Sequence, residues 1–200
     1  MINFEQACEG VIGNTLLSNE KLWYFYNTVN LFSGYINNNG EWWELGVWNG
    51  GSARMLVNIK QNHLYSIPAL RLFDNYTGIV ESTPGVDGFP IGQMATQEKI
   101  AKKTVGEFDW VKWHTGIIPT TFSGLEGCEL SFVHLDVDTY KTHVECLNFV
   151  WSRLIRFGVI LLDDYDDQYC KGVPKACNEF FHRKPNIVFS TGQAIYQKES

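Results

Sequence analysis

Leu22, Phe25, Tyr26, Val29, Phe32 and Ile36 recur at three- and four-residue steps, which is the period of one helix face. The pattern predicts a helix from about Ser18 to Ile36, with Ser18 as N-cap and Asn37-Asn38-Asn39-Gly40 as its stop. Leu56, Ile59, His63, Leu64 and Ile67 mark a second helix, running from Ser52 until Pro68 ends it. Tyr140, Val144, Leu147, Trp151 and Leu154 mark another, from Tyr140 to Phe157. A polar helix is expected at about Thr96–Thr104, and Pro174 begins the last one. Between them lie short apolar runs that read as strands: Glu41–Leu45, Leu70–Phe73, Trp110–His114, Leu130–Leu135 and Gly158–Leu162. Asn186–Ser190 and Ala194–Gln197, split by Thr191-Gly192-Gln193, form a closing hairpin.

Alternating strands and helices imply right-handed crossovers and a mostly parallel α/β sheet, here seven-stranded, with an antiparallel C-terminal hairpin. In such sheets, ligands bind beyond the carboxyl ends of the strands, where the strand order reverses. Glu44, Asp74, His114, Asp136 and Asp163 all fall at strand ends. The glycine-rich stretch Asn75–Met94, with Pro84 and Pro90, is long enough for a lid.

Composition narrows the classes. Two hundred residues, 44% hydrophobic and 19% charged, suit a single globular domain over 1–200, with 1–40 as a helical N-terminal segment. A net charge of −6 argues against a nucleic-acid partner, since that binding rests on cationic contacts. No apolar run approaches the ~18 residues of a membrane span, so no membrane partner is expected. Glu5 and Glu9 stand where a secretory signal would be basic or apolar. The five cysteines include no CxxC pair, so neither a disulfide framework nor a cysteine zinc site is expected. These features read as a reduced, cytoplasmic protein. The stripe Trp23, Tyr24, Tyr26 and Phe32 suits core or a subunit interface, which is compatible with a homo-oligomer.

Two constellations carry chemistry. In Glu44-Leu-Gly-Val-Trp-Asn-Gly-Gly-Ser52, the glycines allow backbone to approach a ligand, and the next helix offers its positive end. Trp48 occupies the second glycine position of the dinucleotide fingerprint, so a tightly seated pyrophosphate is not expected. Glu44 and Asp74 suit a nucleoside whose ribose hydroxyls need acceptors; the plain alternative is a structural turn. The second constellation is Asp136 with Asp163 and Asp164, at the ends of two strands. Were those strands neighbours, the carboxylates would repel unless protonated or joined by a cation, and all-oxygen ligands favour Mg²⁺, Mn²⁺ or Ca²⁺. The alternative is ordinary loop capping. Histidines 63, 134, 143 and 182 form no metal motif and read as structural, while His114 is kept as a strand-end candidate. Cys170 and Cys177 have no paired base.

With these residues laid out, the chain resembles the macrocin-type (TylF/MycF-like) family of S-adenosylmethionine (SAM)-dependent sugar O-methyltransferases. The anchors are Glu44–Ser52, Phe73-Asp-Asn-Tyr-Thr-Gly78, Phe132-Val-His-Leu-Asp-Val-Asp-Thr-Tyr140, Gly158-Val-Ile-Leu-Leu-Asp-Asp-Tyr165 and Cys170-Lys-Gly-Val-Pro-Lys-Ala176. Upstream, Thr15-Leu-Leu-Ser-Asn-Glu-Lys-Leu22 is similar to the family's segment before its first helix. The resemblance implies the class I SAM-methyltransferase (Rossmann-like) fold. It implies SAM held by Glu44, Gly46, Trp48, Gly50, Gly51 and Ser52, with Asp74 on the ribose and Gly116 and Ile117 beside the adenine. It further implies a divalent metal, Mg²⁺ or else Mn²⁺ or Ca²⁺, on Asp136, Asp163 and Asp164. The chain departs from the family at Asn49, usually Arg, at Gly116-Ile-Ile-Pro-Thr-Thr121, and at Asp138-Thr-Tyr-Lys-Thr-His143.

The expected function is therefore SAM- and metal-dependent O-methylation of a hydroxyl on a sugar or polyol-type small molecule. Asp136, Asp138 and His114 are the candidates for assisting deprotonation. A nicotinamide-dependent oxidoreductase, against which Trp48 speaks, and a non-catalytic SAM-binding module are the competing readings.

Overall fold

Trp42 and Trp43, adjacent on the first strand, are both fully buried and belong to different core clusters. Successive strand residues face opposite sides of a sheet, so this strand must be covered on both. A computed structural model describes residues 2–32, 40–62 and 68–199. Its sheet has seven strands in the order β3-β2-β1-β4-β5-β7-β6. They are β1 (Glu41–Leu45), β2 (Leu70–Asp74), β3 (Val111–Thr115), β4 (Leu130–Leu135), β5 (Leu154–Leu162), β6 (Ile187–Val188) and β7 (Ala194–Gln197). β1 to β5 pair in parallel, while β7 runs antiparallel to both β5 and β6. This is the mostly parallel α/β sheet with a closing antiparallel hairpin that the strand pattern predicts.

The helices are α1 (Phe4–Ala7), α2 (Asn19–Leu31), α3 (Gly51–Gln61), α4 (Glu98–Val105), α5 (Tyr140–Arg153) and α6 (Gly172–Phe181). Leu22, Phe25 and Val29 of α2 and Leu56 and Ile59 of α3 pack with Trp42, Leu70 and Phe132 on one face. Leu147 and Val150 of α5 and Val173 and Cys177 of α6 pack with Trp43, Val133 and Ile160 on the other. Each fully buried Leu, Ile or Phe contributes about 1.5–3 kcal/mol of hydrophobic free energy. Among the described residues, no helix is long and apolar enough to cross a membrane.

Ser18 caps α2 as expected, its hydroxyl accepting from the Lys21 amide at 3.2 Å. The predicted extension of α2 to Ile36, its Asn37–Asn39 stop, and His63, Leu64 and Ile67 of the next helix lie outside the described residues. The helix predicted to reach Phe157 ends instead at Arg153, and β5 begins directly at Leu154. Leu154 fits a helical period, but it pairs with Leu130 as a strand residue. The ladder then shifts register so that Phe132 meets Val159. Phe157 takes a left-handed conformation (φ 64°) in that irregular stretch, which a spacing argument does not reveal.

Candidate active site

β1 and β4 are neighbours although α3, β2, α4 and β3 separate them in sequence, so the strand order reverses between them. A cavity of ≈ 250 Å³ opens beyond their carboxyl ends. Gly46, Val47 and Trp48 after β1, Asp74 of β2, Gly116 and Ile117 after β3, Asp136 to Asp138 after β4, and Asp163 and Asp164 after β5 all line it. The wall also includes Thr15, Leu16 and Leu17 from the segment leading into α2, and Lys21 from its first turn.

The glycine turn is held by the chain itself. Asp74 accepts from the backbone N–H groups of Val47 and Trp48, both at 2.8 Å, and from that of Tyr76 at 2.7 Å. Trp48 sits at φ 48°, a left-handed conformation that costs a non-glycine residue about 1–2 kcal/mol. Gly46 is at φ 91°, and a Cβ there would lie 1.8 Å from the Asp136 carbonyl oxygen. Its glycine is therefore required by the crossing of two backbones at the switch point, before any ligand is considered. Asn49 accepts from the Thr96 hydroxyl.

Asp136, Asp163 and Asp164 bring ligand oxygens within 4.8 Å of one another. The parallel register that pairs Leu135 with Leu162 explains this, because Asp136 and Asp163 directly follow those residues and Asp164 comes next. Burial raises the Asp136 carboxyl well above the usual range, and the charges of Asp163, Asp164 and Asp138 add to it. Burial, then Asp164 and Asp163, pushes Asp138 up to about 7. Asp138 is also left-handed (φ 58°), with the Cys170 thiol 3.9 Å from its carboxylate. Two groups answer this charge. The Lys21 ammonium donates to Asp163 Oδ2 at 2.7 Å and to Asp164 Oδ1 at 2.8 Å, and Gln193 donates to Asp163 Oδ1 at 2.9 Å. Burial lowers the Lys21 pKa, but the two carboxylates outweigh it and leave the ammonium held above its ordinary value.

Four of the residues expected at the site lie off the cavity wall. Glu44 does not line the cavity; it is fully buried on the α2 face, its Oε1 3.0 Å from His134 Nδ1, with Phe25 over the His134 ring. Side chains alternate along β1, so Glu44 points with Trp42 into that layer rather than off the strand end. Gly50 and Gly51 do not line the cavity either. Gly50 packs on Ala101, and Gly51 donates its N–H to the Asn14 carbonyl at 2.8 Å. His114 is absent from the wall, since it stacks on Phe73 at 4.5 Å and meets Arg71 Nη1 at 3.2 Å. Gly46, Trp48, Ser52, Asp74, Gly116, Ile117, Asp136, Asp138, Asp163 and Asp164 do come together there. Residue chemistry alone missed Lys21, Asp167 and Tyr169, and it set Cys170 aside for want of a base; all four line the cavity. The signal for Lys21 lay in the Thr15–Leu22 segment.

A family model described as Macrocin-O-methyltransferase (TylF) matches residues 12–188, from before Lys21 to beyond Asp164. The chain belongs to that family. A curated relative is 23% identical over 146 residues: the 8-demethyl-8-(2,3-dimethoxy-alpha-L-rhamnosyl)-tetracenomycin-C 4'-O-methyltransferase of Streptomyces olivaceus. That alignment covers 66% of this chain and 55% of the relative, so the chain spans about half the length of the curated relative it matches. The O-methyltransferase NovP superposes with a TM-score of 0.77 at 19% identity, covering 99% of this chain and 89% of that one. CalS11, a calicheamicin methyltransferase, does so with a TM-score of 0.71 at 13% identity, over 97% and 91%. These likenesses establish the class I methyltransferase fold for this member of the TylF family.

Proposed function

We propose that this protein is a SAM-dependent O-methyltransferase that uses a divalent cation to methylate a hydroxyl of a sugar-bearing small molecule. The observation that carries the reading is that Asp136, Asp163 and Asp164 share one cavity with the Gly46–Trp48 turn and Asp74. Family membership supports O-methyl transfer, and the rhamnosyl group named in the curated relative supports a sugar acceptor.

The donor set suits a hard cation. All three ligands are carboxylates, with their oxygens within 4.8 Å of one another. Asp136, Asp163 and Asp164 would hold such an ion, which would supply the Lewis acidity to lower the pKa of an acceptor hydroxyl. Asp138, beside these ligands on the cavity wall, takes the hydroxyl proton. Asp74 and the turn after β1 hold the ribose and methionine portions of SAM, while Gly116 and Ile117 border the adenine. Positioning the hydroxyl in line with the methyl group then accounts for most of the acceleration.

Cavity charge bears on the acceptor. Among the described lining residues, six aspartates face one cation, Lys21, whose ammonium is engaged by Asp163 and Asp164. That surplus of acid leaves any phosphate on the acceptor dependent on the bound cation for a positive partner. Leu16, Val80, Ile117 and Tyr169 are exposed at 61%, 37%, 49% and 55% and belong to the same wall, offering apolar surface to whatever carries the sugar.

Calorimetry with SAM, its demethylated product and NAD tests the cofactor assignment. SAM and the product should bind, and NAD should not. NAD binding without SAM binding would overturn the reading in favour of an oxidoreductase.

A further inference from the structure

Lys21 occupies an unusual place for a cation. It is the third residue of α2, in the helix's first turn, where the macrodipole favours acids and disfavours ammonium groups. Its side chain is 18% exposed, and its Nζ bonds Asp163 Oδ2 and Asp164 Oδ1. With Gln193 on Asp163 Oδ1, both oxygens of Asp163 are taken. A divalent ion ligating the same oxygens at about 2.0–2.6 Å would stand against the ammonium at close range, and like charges there repel strongly.

We propose that Lys21 is a tethered cation that competes with the divalent ion for Asp163 and Asp164, so that metal entry releases the N-terminal turn of α2. This rests on the metal reading given above. The consequence reaches the cofactor, because Thr15, Leu16 and Leu17, just upstream, line the same cavity. Thr15 orders this stretch by accepting from the Leu17 amide at 3.1 Å, and Asn14 anchors it by accepting from Gly51 of α3. Metal occupancy is thereby sensed by the wall against which SAM and acceptor must fit.

The test is Mn²⁺ binding to the purified full chain, followed by paramagnetic resonance or calorimetry, for wild type, Lys21→Met and Lys21→Arg. Loss of a charge-assisted competitor should tighten Mn²⁺ binding roughly tenfold or more in Lys21→Met, and Lys21→Arg should stay near wild type. Hydrogen exchange provides a readout in the unaltered protein: amides at 15–21 should lose protection when Mn²⁺ is added without SAM. Equal or weaker Mn²⁺ affinity in Lys21→Met, or greater protection of 15–21 in the wild type, would overturn the competition. Failure of every variant, wild type included, to bind Mn²⁺ would instead remove the metal reading and this inference with it.

Discussion

Asp74 was legible in the sequence as a strand-end acid, but its surroundings change what its loss should do. Its carboxylate accepts three backbone N–H groups that shape the turn after β1. Asp74→Ala should therefore lower folding stability by at least about 1.5 kcal/mol as well as weakening SAM binding. Denaturant unfolding read beside calorimetry checks this; a full loss of affinity at unchanged stability would make Asp74 a ligand contact alone. His143 offers a pH test of the buried face. It is 1% exposed, its Nδ1 lies 3.0 Å from the Thr139 carbonyl, and its Nε2 has no partner. Burial lowers its pKa from 6.5 to about 4, against the opposing pull of Thr139, Asp164 and Asp87. A depressed folded pKa means the unfolded chain takes the proton first. Stability from neutral His143 is whole above pH 6.5 and drains away as pH falls towards 4, by up to about 3 kcal/mol. His143→Gln should be less stable than wild type at pH 7.5, and that deficit should narrow towards pH 4. A deficit independent of pH would contradict the account. Glu44 and His114 show why strand-end position was too coarse a guide: the direction of a side chain off its strand decides whether it reaches the cavity.

At the scale of elements, spacing located β1 and β4 to the residue, because short apolar runs bounded by polar residues leave little freedom. It failed at α5–β5, where Leu154 satisfies both periods and long-range pairing with Leu130 decides. It also passed over α1, a single turn of four residues too short to show a hydrophobic period, although its Asn3–Gln6 capping box stands in the sequence. Gly46 joins two elements, and Gly46→Ala would drive a Cβ into the Asp136 carbonyl. That variant should lose more than about 4 kcal/mol, or fail to accumulate folded; a wild-type melting temperature would refute the crossing argument. The stretch after β2 was read as a lid. Ile79 and Gln93, Gly92 and Ile79, and Gly88 and Tyr169 pair through backbone hydrogen bonds, while Ile91 stays 72% exposed. Such a loop is tied at its base and again at Glu81, Asp87 and Gly88, through Lys141, Tyr140 and Tyr169. We expect exchange at 80–92 to slow only when SAM and acceptor are both bound; equal protection in the protein alone would make it a fixed wall.

For the whole molecule, sheet order matters more than any single motif. Reversal between β1 and β4 gathers turns from five parallel strands at one edge, and only that topology turns scattered aspartates into one cluster. The alternation of strands and helices made this edge predictable, whereas the Lys21 contact came from a distant helix that no local pattern joins to β5. The central claim is that the carboxylate cluster serves methyl transfer through a divalent cation. Its most direct test is transfer of a labelled methyl group from SAM to a diol-bearing glycoside, in EDTA and after Mg²⁺ is restored, for wild type and Asp163→Asn. Wild type should fall silent in EDTA and recover with Mg²⁺. Asp163→Asn should recover poorly while still binding SAM, because a neutral amide is a weaker ligand in the same shape. Full wild-type transfer in EDTA would contradict the account and leave Asp136, Asp163 and Asp164 as acids that Lys21 merely neutralises.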